Sequence, residues 1–422
     1  MRNGVGGAGG VSRVGGGNPL RAEHPLWQCA LRPFFLGALA VAIAVMAAWL
    51  LVLGPGLALP AAMHPRWHGL GLMVGMGIAA VAGFLFTAVP EFTSSPEFEE
   101  SLLRRGFVFW LPCALLPWLP WPGAEALAAL AGAGFLAWLS AQMLPRLWQQ
   151  DGRPHLELTI GLIALQAALL GLAQALWRGQ AVSAWLDALL LAFAGLTILA
   201  LSRISMRIVN RAIDARRDAG LPVPEDPYLA RPPRRRLALA LLAAQALAGL
   251  LLPEVPRVQG WLALSSAAAL AALLGDWHVG RALFRRWPFL LHLVYLSLCA
   301  GCGLWGLGQL GLGGGWVSAG RHLVAVGGFG LAIFMVMAIA GRTHVGVALD
   351  ERPWLPAAAT LLLAAAALRV AAALGGPWQM LLAAGLAWML GFAWMAVRSL
   401  PLWWCPRADG LRGCQEPLDG ED

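Results

Sequence analysis

The chain has 422 residues, of which 59% are hydrophobic and only 12% charged, with a mean hydropathy of +0.68. Soluble globular chains average about a quarter charged residues and under half apolar ones, so composition excludes a soluble domain and indicates a polytopic membrane protein. The net charge of +8 does not argue for nucleic acid, because the 30 basic residues, all arginine, fall between apolar runs and report membrane orientation instead.

Residues 1–30 open with the Gly-rich run "MRNGVGGAGGVSRVGGGNPL", which lacks the apolar stretch of a cleavable signal and reads as a disordered cytoplasmic tail. A transmembrane helix needs about 20 predominantly apolar residues. Marking such runs predicts twelve spans: 33–53, 68–90, 106–122, 124–146, 156–177, 183–202, 237–252, 259–275, 287–310, 320–341, 354–374 and 377–397. The third and fourth are divided only by the Pro-rich hairpin "PWLPWPG" at 117–123, and the seventh and eighth are short. The fold expected is therefore all-α, an integral membrane helical bundle of about twelve transmembrane helices in a 6+6 arrangement.

Arginine placement orients it. With both termini cytoplasmic, the inner loops and tails hold 25 arginines and the outer loops four, Arg66, Arg178, Arg257 and Arg321; Arg369 lies inside the eleventh span. That asymmetry is what the positive-inside rule expects of a bacterial inner membrane protein. Residues 31–202 form a first six-helix half, 203–236 a basic cytoplasmic loop whose first part could continue the sixth helix, 237–400 a second half, and 401–422 a cytoplasmic tail. The loop ends in "PPRRR", a charged stop beside anionic headgroups.

Histidine is scarce, eight in all, so its placement carries weight. His64, His68 and His322 fall at the periplasmic ends of the second and tenth spans; His24, His155, His278, His292 and His344 lie at or near the cytoplasmic side. Neutral imidazole is a common metal and haem ligand, and facing helices can bring such groups together. His64 and His68, in "MHPRWH", are four apart, the spacing of two ligands on one helix face. Pro65 at the first helical position would instead leave His64 at the cap. His322 opens a glycine-rich stretch in which Gly327, Gly328 and Gly330 allow close approach, and ordinary helix packing accounts for them as well as a planar cofactor does. His292 sits one turn inside the ninth span and needs a partner, with Tyr295 a candidate. His344 ends the tenth span, where a helix C-terminus favours it.

The six cysteines show no spacing of a disulfide framework, and "CAGC" at 299–302, lacking redox surroundings, reads as small-residue packing. Asp187 and Arg369 stand as isolated intramembrane charges. The chain has neither an adjacent His–His pair nor a His-x-His, which argues against haem–copper oxidase chemistry.

Read in order, four stretches resemble the NnrS family of bacterial haem- and copper-containing membrane proteins. "LRPFFL" (31–36) is similar to that family's "FRPFFL". "WHGLGLMVGMGIAAVAGFLFTAVPEFT" (67–93) is similar to its "WHAHEM…AGFLLTAVPNWT" helix. "PFLLHLVY" (288–295) and "HLVAVGGFGLAIFMVMAIAGRTHVG" (322–346) are similar to its "PLLWxLHLGY" and "HALTVGxxGLMxLAMM…GHTGR" segments. The resemblance implies haem, and with it copper, bound in the membrane part, and a role in the response to nitric oxide, nitrosative stress or denitrification. It places His68, His292, His322 and His344 at family histidine positions, and Arg32 on the family arginine of "FRPFF". Arg203 falls on the arginine of "GGRxIP", in a segment otherwise changed to "LSRISM". His64 joins His68 and His322 as a candidate metal ligand.

The departures concern copper. Where the family carries a second His and a Glu, this chain has Leu70 and Gly71; the arginine before "GHTG" is Ile339, with Arg342 three residues on. Two readings follow: a member that keeps haem with copper lost or retained, or a metal-free permease or accessory protein of the bilayer.

Overall fold

The computed structural model describes residues 18, 21, 23–54, 64–149 and 155–414; the Gly-rich tail, Asn18 apart, and the segment after 414 lie outside the described residues. Among the described residues there is no strand. Twelve helical rods follow in chain order. These are α1 (Leu31–Leu53), α2 (Pro65–Thr93), α3 (Glu100–Leu115), α4 (Ala124–Gln149), α5 (Leu156–Trp177) and α6 (Ser183–Asp218), then α7 (Pro232–Leu251), α8 (Pro256–Leu274), α9 (Arg286–Leu312), α10 (Gly314–Thr343), α11 (Trp354–Ala373) and α12 (Gln379–Trp404). Ten are long and apolar enough to cross a bilayer. The exceptions have local causes: α3 is only 16 residues long, and α7 carries Arg234, Arg235 and Arg236 near its start. The sixth helix does continue into the basic loop, running 36 residues to Asp218.

An even number of rods returns the chain to the face it left. His24 packs edge-on against Trp404 at 5.0 Å, α1 lies along α12, and Cys29 and Cys414 are joined by a disulfide that spans 385 residues of sequence. The disulfide corrects the expectation from cysteine spacing, which carries no signal for a bond closed by the whole fold. It lies on the arginine-rich face. If that face is cytoplasmic, cellular thiols can open the bond.

Helices approach closely where glycines face each other. A side chain added at Gly306 would meet the Gly260 carbonyl at 2.8 Å, so α8 and α9 pack backbone to backbone. Gly301 stands 2.9 Å from the Val324 amide by the same measure, bringing α9 against α10. In lipid there is no hydrophobic drive between helices, and such small-residue contacts supply packing in its place. Gly311 and Gly313, at φ 128° and 99°, let α9 turn directly into α10, a conformation few other residues adopt.

Tryptophan indoles cross-link the bundle. Trp67 donates to the Pro117 carbonyl at 2.7 Å, Trp110 to Gly75 at 3.0 Å, Trp388 to Ala42 at 3.3 Å and Trp403 to Gly341 at 2.7 Å. Each buries a large apolar ring and satisfies its one polar atom on a neighbouring helix. Gly306→Leu is expected to lower the thermal unfolding midpoint in detergent, at a cost of about 1–3 kcal/mol. Gly249→Leu, at a position with nothing within 4 Å, is expected to leave that midpoint unchanged.

Candidate functional site

Two clusters of candidate residues form, one at each end of α2. His68 and Glu91 mark its ends; at about 1.5 Å rise per residue they stand roughly 35 Å apart.

At the arginine-poor end, His68 stacks on Trp49 of α1, with ring centroids 4.6 Å apart and planes 14° from parallel. Its Nδ1 is buried and makes no hydrogen bond of ordinary geometry, the Pro65 carbonyl being the backbone group it faces. His322 Nδ1 donates to the Ser318 carbonyl at 2.8 Å, which fixes the ring on α10 and leaves Nε2 as the available nitrogen. His68 and His322 lie within electrostatic reach of each other and of Arg369. Arg369 in turn donates to Ser318 Oγ at 3.1 Å. The intramembrane charges are therefore not isolated, contrary to the sequence expectation: Arg369 has Ser318, and Asp187 of α6 pairs with Arg321 of α10, whose guanidinium also lies 5.2 Å from the Trp305 ring.

Both helices that carry these imidazoles are wound wider just beyond them, π-helical over Gly71–Gly77 in α2 and Leu323–Gly330 in α10. Such turns are uncommon and concentrate at functional sites. The glycines in them serve packing rather than a cofactor. A side chain at Gly327 would strike Ser297 at 2.8 Å and one at Gly71 would strike Val45 at 2.9 Å, while Gly77 is closed by Phe193 at 2.9 Å. Leu70 is fully buried. Both positions that differ from the family pattern are thus packed, Leu70 in the core and Gly71 against Val45 of α1.

His64 is a cap, not a partner of His68. Its Nδ1 accepts the Trp67 amide at 3.2 Å, and Nε2 faces the Glu125 carboxylate at 3.5 Å, beside an Arg66–Glu125 ion pair at 2.8 Å. Both ring nitrogens have neighbours in this structure, and because His64 lies at the cap it does not share a helix face with His68.

At the arginine-rich end, His344 caps α10 and is buried. Its Nδ1 bonds the Cys414 carbonyl at 2.5 Å and lies 3.5 Å from Glu91 Oε1. Burial holds the imidazole down to about 4, so it is neutral near pH 7. Arg407 donates to the His344 carbonyl at 3.1 Å, and Arg32 bonds the carbonyls of Pro25 at 2.9 Å and Cys405 at 2.8 Å. Arg32 is completely buried, with Nε and Nη2 unpartnered, and in this structure it ties the N-terminal turn to the C-terminal strap. Arg203 lies with its guanidinium 4.0 Å over the Phe92 ring and lines the same cavity as His344. His292 is elsewhere. It packs edge-on to Trp277 at 5.4 Å with Nδ1 buried and unpartnered, and Tyr295, its expected partner, packs on Trp277 at 5.8 Å instead.

Sequence reading missed Ser318, Trp49, Glu91 and the Arg321–Asp187 pair. Ser318 alone had a local signal, lying one helical turn before His322; the others meet their partners on other helices. Among the described residues, no three His, Cys, Asp or Glu side chains gather as a metal site.

Next to His344, Asp350 secures the chain entering α11. It accepts from Arg352 at 2.5 Å and 2.8 Å and from the Trp354 indole at 2.7 Å, with Arg342 at 3.5 Å. These donors, Arg352 foremost, hold its carboxyl well below the usual carboxylate range. A depressed folded value means stability present above the ordinary value of about 3.9 and lost as pH falls through the folded one. Asp350→Ala is expected to cost about 1–3 kcal/mol at pH 7, since it strands the buried Trp354 N–H. It is also expected to flatten the loss of thermal stability below about pH 4, read by unfolding midpoints across a pH series.

A family model described as NnrS protein matches residues 25–407, nearly the whole chain. No curated protein matches it.

Proposed function

The chain belongs to the NnrS family, and on that premise we propose that it is a membrane haem protein of the nitric oxide or nitrosative stress response, seated in the bacterial inner membrane. The observation that supports this reading is that His68 and His322 lie within electrostatic reach of each other. One imidazole is held by Ser318 with Nε2 left available, the other is buried with Nδ1 facing the Pro65 carbonyl, and both stand beside π-helical turns.

The donor set suits haem. The protein's part in holding haem iron is one or two axial side chains, imidazole foremost, and His68 and His322 supply imidazoles on two neighbouring helices. Haem, when bound, supplies an iron centre able to ligate a diatomic gas or pass an electron. The chain's own residues do the rest. Ser318 orients His322, Arg369 braces Ser318 and places a positive charge beside both rings, and Trp49 covers the flat face of His68. The Arg321–Asp187 pair ties α10 to α6 directly beside His322. At the other face, His344 and Arg203 share one cavity and remain candidates for a second group, whereas His292 stands apart.

Copper does not fit as well. Copper centres recruit three or so nitrogen and sulfur donors. Here Leu70 and Gly71, where the family pattern has His and Glu, are packed against their neighbours.

Protein purified from haem-replete cells is expected to show a Soret band that His322→Ala weakens severalfold and His64→Ala leaves intact. A colourless preparation free of metal by elemental analysis refutes the proposal.

A further inference from the structure

Two cations stand near His322, and they are not equivalent. Arg321 is paired with Asp187 of α6, and its guanidinium lies 5.2 Å from the Trp305 ring. Arg369 of α11 has no carboxylate partner among the described residues, where its hydrogen bond is to Ser318 Oγ at 3.1 Å. Arg369 lies four residues from the end of α11, and that end sits against the start of α10. A side chain added at Gly315 would meet the Ala373 carbonyl at 2.5 Å. This packing brings the guanidinium within electrostatic reach of both His68 and His322.

Ser318 ties the cation to the imidazole. Its carbonyl accepts from His322 Nδ1 at 2.8 Å, and its hydroxyl oxygen accepts from Arg369. A carbonyl only accepts, so Nδ1 carries the hydrogen, and the neutral ring keeps its lone pair on Nε2. Arg369 is always charged and donates only, in a fork that matches the two oxygens of a carboxylate. Ser318 uses one of its five N–H groups. Within a membrane span, a cation with donors to spare calls for an acceptor of opposite charge.

The cluster therefore makes two opposite demands, one from the lone pair of His322 and one from the charge of Arg369. A simple anion answers the guanidinium and leaves the lone pair unmet. A bare metal cation answers the lone pair and is repelled by the guanidinium. A ligand that answers both carries an electron-pair acceptor and a carboxylate in one molecule. Haem does, with its iron at the centre and carboxylates at its edge.

We propose that Arg369 is the docking cation for a haem carboxylate, fixed through Ser318 relative to the imidazole offered to the iron. The inference rests on the haem reading above and assigns a residue that the family resemblance does not single out. An arginine near a helix end can also reach interfacial water with no ligand at all. The two roles separate when the charge of the ligand is changed and the protein is not.

The test uses the full chain as apoprotein from haem-deficient cells, in detergent, titrated with haem or with haem dimethyl ester. The ester keeps the iron and lacks the negative charges. Binding is followed by the Soret band. Wild-type protein is expected to bind haem at least about tenfold more tightly than the ester, the scale of one charge-assisted pair. Arg369→Gln is expected to weaken haem binding about tenfold and leave ester binding unchanged, so that the preference disappears. His322→Ala is expected to weaken both ligands alike. Should Arg369→Gln not fold, Ser318→Ala removes the Oγ acceptor and keeps the carbonyl that orients His322; it is expected to reduce the preference severalfold.

Equal binding of haem and ester by the wild type, or a preference that survives in Arg369→Gln, overturns the proposal and leaves the haem reading standing. Binding of neither ligand refutes the haem reading and this proposal with it. Acetate separates off a free anion. If acetate stabilises the wild-type apoprotein against heat but not Arg369→Gln, and the ester binds as well as haem, the cation serves a free carboxylate and the proposal fails.

Discussion

Inside a bilayer no water is available to a polar group, so every such group must find its partner within the protein. This one constraint organises the bundle. The indoles of Trp67, Trp110, Trp388 and Trp403 each reach a backbone carbonyl on another segment, and Asp187 meets Arg321 across α6 and α10. Helices can stand near enough for these bonds because glycines face glycines, as at Gly260 and Gly306. The polar bonds and the close packing depend on each other.

Against that background, the unsatisfied atoms stand out. His68 Nδ1 and His292 Nδ1 are buried without partners, as are Nε and Nη2 of Arg32. An orphaned buried nitrogen is costly; the one at His68 lies within electrostatic reach of His322, whose ring Ser318 orients. The π-helical turns of α2 and α10 lie directly beyond this pair. Such a turn re-aims the residues around it and leaves backbone groups to be satisfied from outside, as Trp110 does for Gly75. The pair thus sits on two local irregularities that are built in and braced, which is how functional side chains are commonly held.

The arginine-rich face is organised differently. Its ends are closed by a clasp of residues far apart in sequence: Cys29 to Cys414, Arg32 to Cys405, Arg407 to His344. His344, which the clasp holds, lines the same cavity as Arg203, Arg207 and Arg211. His344 is therefore both the cap of α10 and a support of the strap.

Much was legible in the sequence, for physical reasons. Apolar runs, arginine asymmetry and Pro-rich breaks determine a helical bundle of about twelve rods, because span length and charge placement are local and additive. Pro65 likewise marks His64 as a cap, because proline occupies the first helical position. The resemblance, and not composition, singles out His68, His292, His322 and His344. What the chain alone does not determine is which of them meet. Helices lying side by side in the bundle are separated by loops of any length, so the pairing of Asp187 with Arg321 and of Cys29 with Cys414 leaves no periodic trace. Local sequence fixes where a helix begins, ends and crosses; only the packed bundle decides which polar group satisfies which, because in a medium without water that choice is made between neighbours in space.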